Sequence, residues 1–226
     1  MKMTLLKIFM FGLLLITGCG SLAEESPNAN PDAKRIVILG DSITAGYGLD
    51  PKEAYPTLLQ TKIDAAKLSF TVTNAGVSGD TSAGGLRRVA WAMAKGGDIL
   101  IIALGGNDGL RGISPEETKK NILGIAAKAR TKNPEIEVFI AGMQMPDNMG
   151  KEFTARFKAV FPEAAKESQA TLIPFLLEGV GGDGNLNQAD GIHPTAKGQE
   201  KVAENVWEVL QPTIMNISTP DPKKVE

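Results

Sequence analysis

The sequence predicts a three-layer α/β/α domain built on a parallel sheet. Short β-branched apolar runs alternate with stretches of helical periodicity along the chain. The runs end in turns rich in Gly, Asp, Asn and Ser, where α/β proteins place their working loops. With 226 residues, 42% of them hydrophobic, the chain can bury one sizeable core. Strands alternating with helices run parallel and are covered on both faces.

The first strand is Arg35-Ile36-Val37-Ile38-Leu39, closed by Gly40; an unbroken apolar run fits a strand buried on both sides. Residues 70–74, 98–104, 136–141 and 171–175 read as the next four strands. Helical patterns fall at about 55–67, 82–95, 115–132, 151–168 and 195–211. The third is best marked: Ser114 as N-cap, Pro115 at the first helical position and Glu117 completing a capping box. Trp91 and Trp207 lie inside helical patterns and are expected to pack in the core or against the sheet.

The flanks have a different character. Residues 1–18 carry Lys2 and Lys7 ahead of a short apolar run, which describes a secretory signal and is too short to span a bilayer. Ile16-Thr17-Gly18-Cys19 resembles the bacterial lipobox, which implies lipidation of Cys19 and a membrane anchor. Residues 19–33 then form a flexible tether, residues 34–213 the domain, and residues 214–226 a loose tail. The expected location is the periplasmic side of a bacterial envelope membrane, with Gly20 resembling the sorting pattern for the outer one. Cys19 is the only cysteine, so no disulfide framework exists within the chain. The net charge is −2, and loss of Lys2 and Lys7 makes the remainder more acidic. That excludes a basic nucleic-acid surface, and a monomer is expected.

Chemistry enters with the only histidine, His193, in Asp190-Gly191-Ile192-His193-Pro194. Acyl transfer by a serine needs a base that titrates near neutrality, and imidazole is that side chain. Three further blocks sit at predicted strand ends: Gly40-Asp41-Ser42-Ile43-Thr44, Val77-Ser78-Gly79-Asp80-Thr81 and Gly105-Gly106-Asn107-Asp108. Neighbouring parallel strands bring such ends to one edge of the sheet. Ser42 is the candidate nucleophile, with His193 as base and Asp190 to fix the imidazole tautomer. The amides of Ser42 and Gly79 and the side chain of Asn107 are candidate donors to the oxyanion. Taken singly, each block has a plainer reading: Ser42 as a helix cap, Gly79 and Gly105-Gly106 as turn glycines, Asn107 and Asp190 as turn-formers. Occurring together, in this order, they point to catalysis.

These residues resemble the SGNH (GDSL) hydrolases, and the longer strings I-L-G-D-S-I-T-A-G-Y-G-L and G-G-N-D-G-L-R-G resemble the bacterial thioesterase I/lysophospholipase/arylesterase subgroup. The likeness covers about residues 35–211. It implies a flavodoxin-like sheet of five parallel strands. It also implies Ser42, Asp190 and His193 as the triad, and Ser42, Gly79 and Asn107 as the oxyanion hole. No cofactor is implied. Asp41, Asp80 and Asp108 are read as fixing loops through side-chain-to-backbone hydrogen bonds.

Two other motifs fail. Residues 179–184 fit G-x-G-x-x-G, but no helix opens there and no βαβ unit follows. Residues 183–194 open like a calcium loop, yet Gln188 replaces the glycine and Pro194 the bidentate Glu. One histidine and one cysteine cannot assemble a zinc or copper site, so no metal is expected. Two loops are candidates for the substrate pocket, one carrying Leu110 and the other Met145 and Pro146. The expected substrates are small aryl esters, acyl thioesters or lysophospholipids. The alternatives are a glycan O-deacetylase of the same superfamily and a non-catalytic lipoprotein that binds acyl chains or glycans.

Overall fold

The computed structural model describes residues 33–218. The signal, Cys19, nearly all of the tether and the tail after Ser218 lie outside the described residues. Five strands make one sheet: β1 (Lys34–Gly40), β2 (Phe70–Gly76), β3 (Ile99–Ala103), β4 (Glu137–Ala141) and β5 (Thr171–Ile173). Every pairing is parallel and the order is β2-β1-β3-β4-β5. This is the five-stranded, flavodoxin-like arrangement that the resemblance implied. The chain reverses its direction of travel across the sheet between β1 and β3, and a crevice opens beyond the carboxyl ends of strands at such a switch point.

Helices follow the strands in turn: α1 (Ser42–Ala45), α2 (Tyr55–Ala65), α3 (Ser82–Ala92), α4 (Gly106–Leu110), α5 (Pro115–Lys132), α6 (Lys151–Glu167) and α7 (Ala196–Ser218). Helices α2 and α7 pack together on one face, and α3, α5 and α6 form a row on the other. The central strands β1 and β3 are sealed between these layers; residues 36–39 and 99–103 are wholly buried. The β-branched content of those strands suits a pleated surface packed on both sides.

Several boundaries differ from the sequence pattern, each for a local reason. Strand β5 stops at Ile173 instead of residue 175. Pro174 has no N–H to continue the ladder, and its carbonyl lies where a Cβ on Gly142 would come within 2.1 Å. Helix α7 runs past Gln211 to Ser218 with Pro212 inside it. The lost backbone bond is tolerated because the apolar stripe continues through Leu210 and Ile214, both fully buried. Trp91 is not a core residue: it is 73% exposed. The buried stripe of α3 is Gly85, Val89 and Met93, spaced by one turn, and a side chain two positions beyond Val89 faces the opposite way. Trp207 does pack against the core, half-buried. Ser114 caps α5 by accepting from the Glu117 amide at 3.2 Å, but the Glu117 carboxylate turns outward to Lys120 at 3.5 Å.

Candidate active site

The site is built on the first strand end. Gly40 closes β1 where the chain doubles back so tightly that a Cβ would sit 1.9 Å from the Thr44 hydroxyl. Asp41 caps α1 by accepting from the Ile43 amide at 3.0 Å. Ser42 therefore becomes the first residue of α1, with its side chain 9% exposed. Its amide is one of those that a helix leaves without an internal acceptor. Buried polar contacts hold α1 from beneath. Thr44 Oγ1 and the Tyr55 hydroxyl lie 2.9 Å apart. Gln199 accepts from the Tyr55 amide at 2.9 Å and donates to the Ile43 carbonyl at 3.0 Å. Asn74 Nδ2 donates to the Thr44 carbonyl at 2.9 Å.

The loop before α7 brings the base. His193 Nε2 lies 2.9 Å from Ser42 Oγ, and its Nδ1 lies 2.7 Å from Asp190 Oδ2. A carboxylate facing Nδ1 keeps the proton there, so Nε2 accepts from the Ser42 hydroxyl. The other Asp190 oxygen accepts from the amides of His193 at 3.0 Å and Ile192 at 2.9 Å. These bonds, the His193 amide first and its ring next, lower the Asp190 pKa to about 2. Tyr47 packs against the imidazole with ring centroids 4.6 Å apart and the planes tilted by 38°. Gln188 ties the assembly together: its side chain donates to the carbonyls of Tyr47 at 2.7 Å and Pro194 at 3.0 Å, and its amide to the His193 carbonyl at 2.7 Å.

The next two strand ends supply the opposite wall. Gly79 adopts φ +78°, which an L side chain rarely does, and a Cβ there would meet only Arg111, 3.7 Å away. Its obligatory glycine thus follows from the backbone angle, while the space above it stays open. Asn107 Nδ2 donates to the Asp80 carbonyl at 2.9 Å and reaches Asp41 Oδ2 only at 3.4 Å. Arg88 fastens the wall: it binds the Asp80 carboxylate at 2.6 Å and the carbonyls of Ala75 and Gly40 at 2.7 and 2.9 Å. Asp108 is wholly buried and accepts from both the amide and the hydroxyl of Ser82. All three aspartates that adjoin the motif residues therefore fix loops. Burial, with some help from the Asp80 carboxylate, raises the Asp41 pKa to about 6, against the opposing effects of the Ile43 amide and His193.

The geometry thus places Ser42, His193 and Asp190 in one hydrogen-bonded chain, with Gly79 on a loop and Asn107 in α4 beside it. Of the pocket candidates, Leu110 closes α4 instead of lying on a loop and is 45% exposed, Pro146 is exposed, and Met145 packs its sulfur against Gly109, joining α4 to the loop after β4. Tyr47, Val77 and Ile192, on the segments after α1, after β2 and before α7, add further exposed apolar surface. Sequence reasoning missed Arg88, Gln199, Asn74, Gln188 and Tyr47 as supports. Gln199 carried a signal: a polar residue one turn before Val202 and Ala203 interrupts the buried stripe of α7.

A model of the GDSL-like Lipase/Acylhydrolase family matches residues 38–201, which takes in all five of these residues. The chain is 40% identical over 202 residues to Esterase TesA of Pseudomonas aeruginosa, an alignment covering 89% of this chain and 98% of that protein. Over 183 residues it is 35% identical to Thioesterase 1/protease 1/lysophospholipase L1 of Escherichia coli K12, covering 80% of this chain and 86% of the relative. The crystal structure of TesA superposes with a TM-score of 0.76 at 40% identity, covering 79% of this chain and 99% of the other. The chain belongs to the GDSL-like lipase/acylhydrolase family.

Proposed function

We propose that the chain hydrolyses small acyl esters and acyl thioesters through an acyl-enzyme formed on Ser42. The observation that carries this is the contact chain Ser42 Oγ to His193 Nε2 to Asp190 at 2.9 and 2.7 Å. Ser42 Oγ attacks the acyl carbonyl as Nε2 takes its proton, and the imidazolium then protonates the departing alcohol or thiol. Asp190, ionised because its pKa is low, stabilises the imidazolium. Water repeats the sequence on the acyl-enzyme and frees the acid. The amides of Ser42 and Gly79 and Asn107 Nδ2 receive the oxyanion; the 3.4 Å approach of Asn107 to Asp41 is long and weak, so that N–H is available.

The relatives named esterase and thioesterase/lysophospholipase favour this substrate range over glycan deacetylation. Ser42→Ala should lower p-nitrophenyl butyrate turnover by at least about a thousandfold and abolish fluorophosphonate labelling, with the thermal midpoint preserved. Turnover persisting in that variant would exclude this mechanism. Wild-type protein that folds and takes no label would favour the binding lipoprotein, and acetyl esters strongly preferred over octanoyl esters would favour the deacetylase.

The domain is placed on the periplasmic side of the envelope as a monomer tethered through lipidated Cys19. The lipobox-like string supports this reading, and no helix among the described residues is long and apolar enough to cross a membrane. Replacing Cys19 by Ser should move the protein from the membrane fraction to the soluble one; unchanged membrane partitioning would refute the anchor.

A further inference from the structure

We infer that the domain rests on the bilayer through a corner built around Trp91, with the catalytic crevice turned to the water; this rests on the lipid-anchor reading above. Trp91 is 73% exposed near the end of α3, and Arg87 and Ala90 share its outer face and are exposed too. A tryptophan ring is costly to leave in water, and its apolar body with one N–H suits the headgroup layer of a membrane. Helix α3 leads away from the crevice. Its first residue, Ser82, donates its amide to Asp108 beside Asn107, and Trp91 lies about 14 Å further along the axis. The turn that follows, residues 93–98, returns to β1, where Asp98 accepts from the Arg35 amide and donates to the Arg35 carbonyl, both at 2.8 Å. Trp91 therefore stands at the edge of the sheet where β1 begins, opposite the edge that carries Ser42.

Two further observations choose a bilayer as the occupant. Cys19 precedes Lys34, the first residue of β1, by fifteen positions, and fifteen residues span at most about 50 Å. A lipid on Cys19 thus leads to this edge of the sheet and keeps it close to the membrane. The second observation is charge. Lys34, Arg87, Lys95 and Lys128 are exposed at this corner, and Lys128 Nζ donates to the Leu86 carbonyl of α3 at 3.0 Å. Among the described residues no carboxylate pairs with Lys34, Arg87 or Lys128. A chain with a net charge of −2 so presents four cations beside its exposed tryptophan, where anionic headgroups attract them. With Trp91 on the lipid, the crevice opens toward water, and dissolved esters reach Ser42 directly.

The test reconstitutes the lipidated chain in vesicles of phosphatidylethanolamine and phosphatidylglycerol, as Trp207→Phe, which leaves Trp91 the only tryptophan. Its emission should lie roughly 10 nm to the blue of the same chain carrying Cys19→Ser in buffer. Phospholipids brominated near the head of the acyl chain should quench at least about half of it, since an interfacial ring sits at that depth. Arg87→Glu combined with Lys128→Glu should reduce the quenching at least about threefold. Quenching that these charge reversals leave unchanged would overturn the inference. A blue shift already present in the Cys19→Ser chain, and growing with its concentration, would assign the face to a second copy and equally overturn it. A chain that fails to float with the vesicles would refute the anchor at Cys19 and this inference with it. One that floats with Trp91 unshifted and unquenched would refute the docking alone.

Discussion

Asp41 joins β1 to α1, which begins at Ser42, and lies near the side chain of Asn107; its carboxyl is almost wholly buried. A charge there loses hydration without gaining a full partner, so the folded pKa of about 6 lies above the ordinary carboxyl value of 3.8. A raised carboxyl pKa stabilises the fold fully below the unfolded value. That stability is lost as pH rises from about 3.8 through about 6, where the buried group must ionise. Asp190 runs the other way: held low by its hydrogen bonds, it loses its contribution only as pH falls from 3.8 toward about 2. The two windows do not overlap. Asp41→Asn keeps an oxygen for the Ile43 amide and removes the titration. Its thermal midpoint relative to wild type should therefore improve by roughly 5 °C between pH 4 and pH 7.5. A gap that stays constant across that range would show that Asp41 takes up no proton there.

At the scale of elements, what could be read in advance was whatever repeats with a period. The five apolar runs became five strands, and three motif blocks came out at the carboxyl edge because parallel strands put their ends together, the loop before α7 bringing the fourth. Ser42, His193 and Asp190 were legible because the chain has one histidine and a carboxylate three residues before it. The supports were not legible, since they act through partners far along the chain. Gln199 meets Tyr55 at a separation of 144 residues, and Arg88 meets Gly40 at 48. Trp91 misled because a large aromatic residue suggests burial, whereas helix phase decides it. Gln199 is the sharpest test of the supports. Gln199→Leu fills similar space but leaves the buried Tyr55 amide unpaired, and leaves the Ile43 carbonyl with only the Gly46 amide, at 3.3 Å. It should lower unfolding free energy by roughly 1–3 kcal/mol and reduce kcat, because Ile43 adjoins Ser42. A urea midpoint equal to wild type would show that water satisfies the Tyr55 amide.

On the scale of the molecule, α7 joins the triad loop to the far side of the domain. With 23 residues it is about 34 Å long, and it packs along α2 for part of that length. Its first turns carry Gln199 beneath Ser42, and its last turns carry Ile214, fully buried about 22 Å from that end. Helix α7 therefore continues beyond Pro212 because its apolar stripe does, although proline ordinarily marks a helix limit. Stability and catalysis should separate along this helix. Ile214→Ala removes packing from the core and should cost about 2–4 kcal/mol, and a chain stopped at Gln211 should cost more. At 25 °C, well below the unfolding transition, kcat on p-nitrophenyl butyrate should stay within about twofold of wild type in Ile214→Ala, because sites so far apart that share no partner act independently. A loss of kcat as large as that of Gln199→Leu would mean instead that α7 acts as one rigid strut, and that the triad loop feels both of its ends.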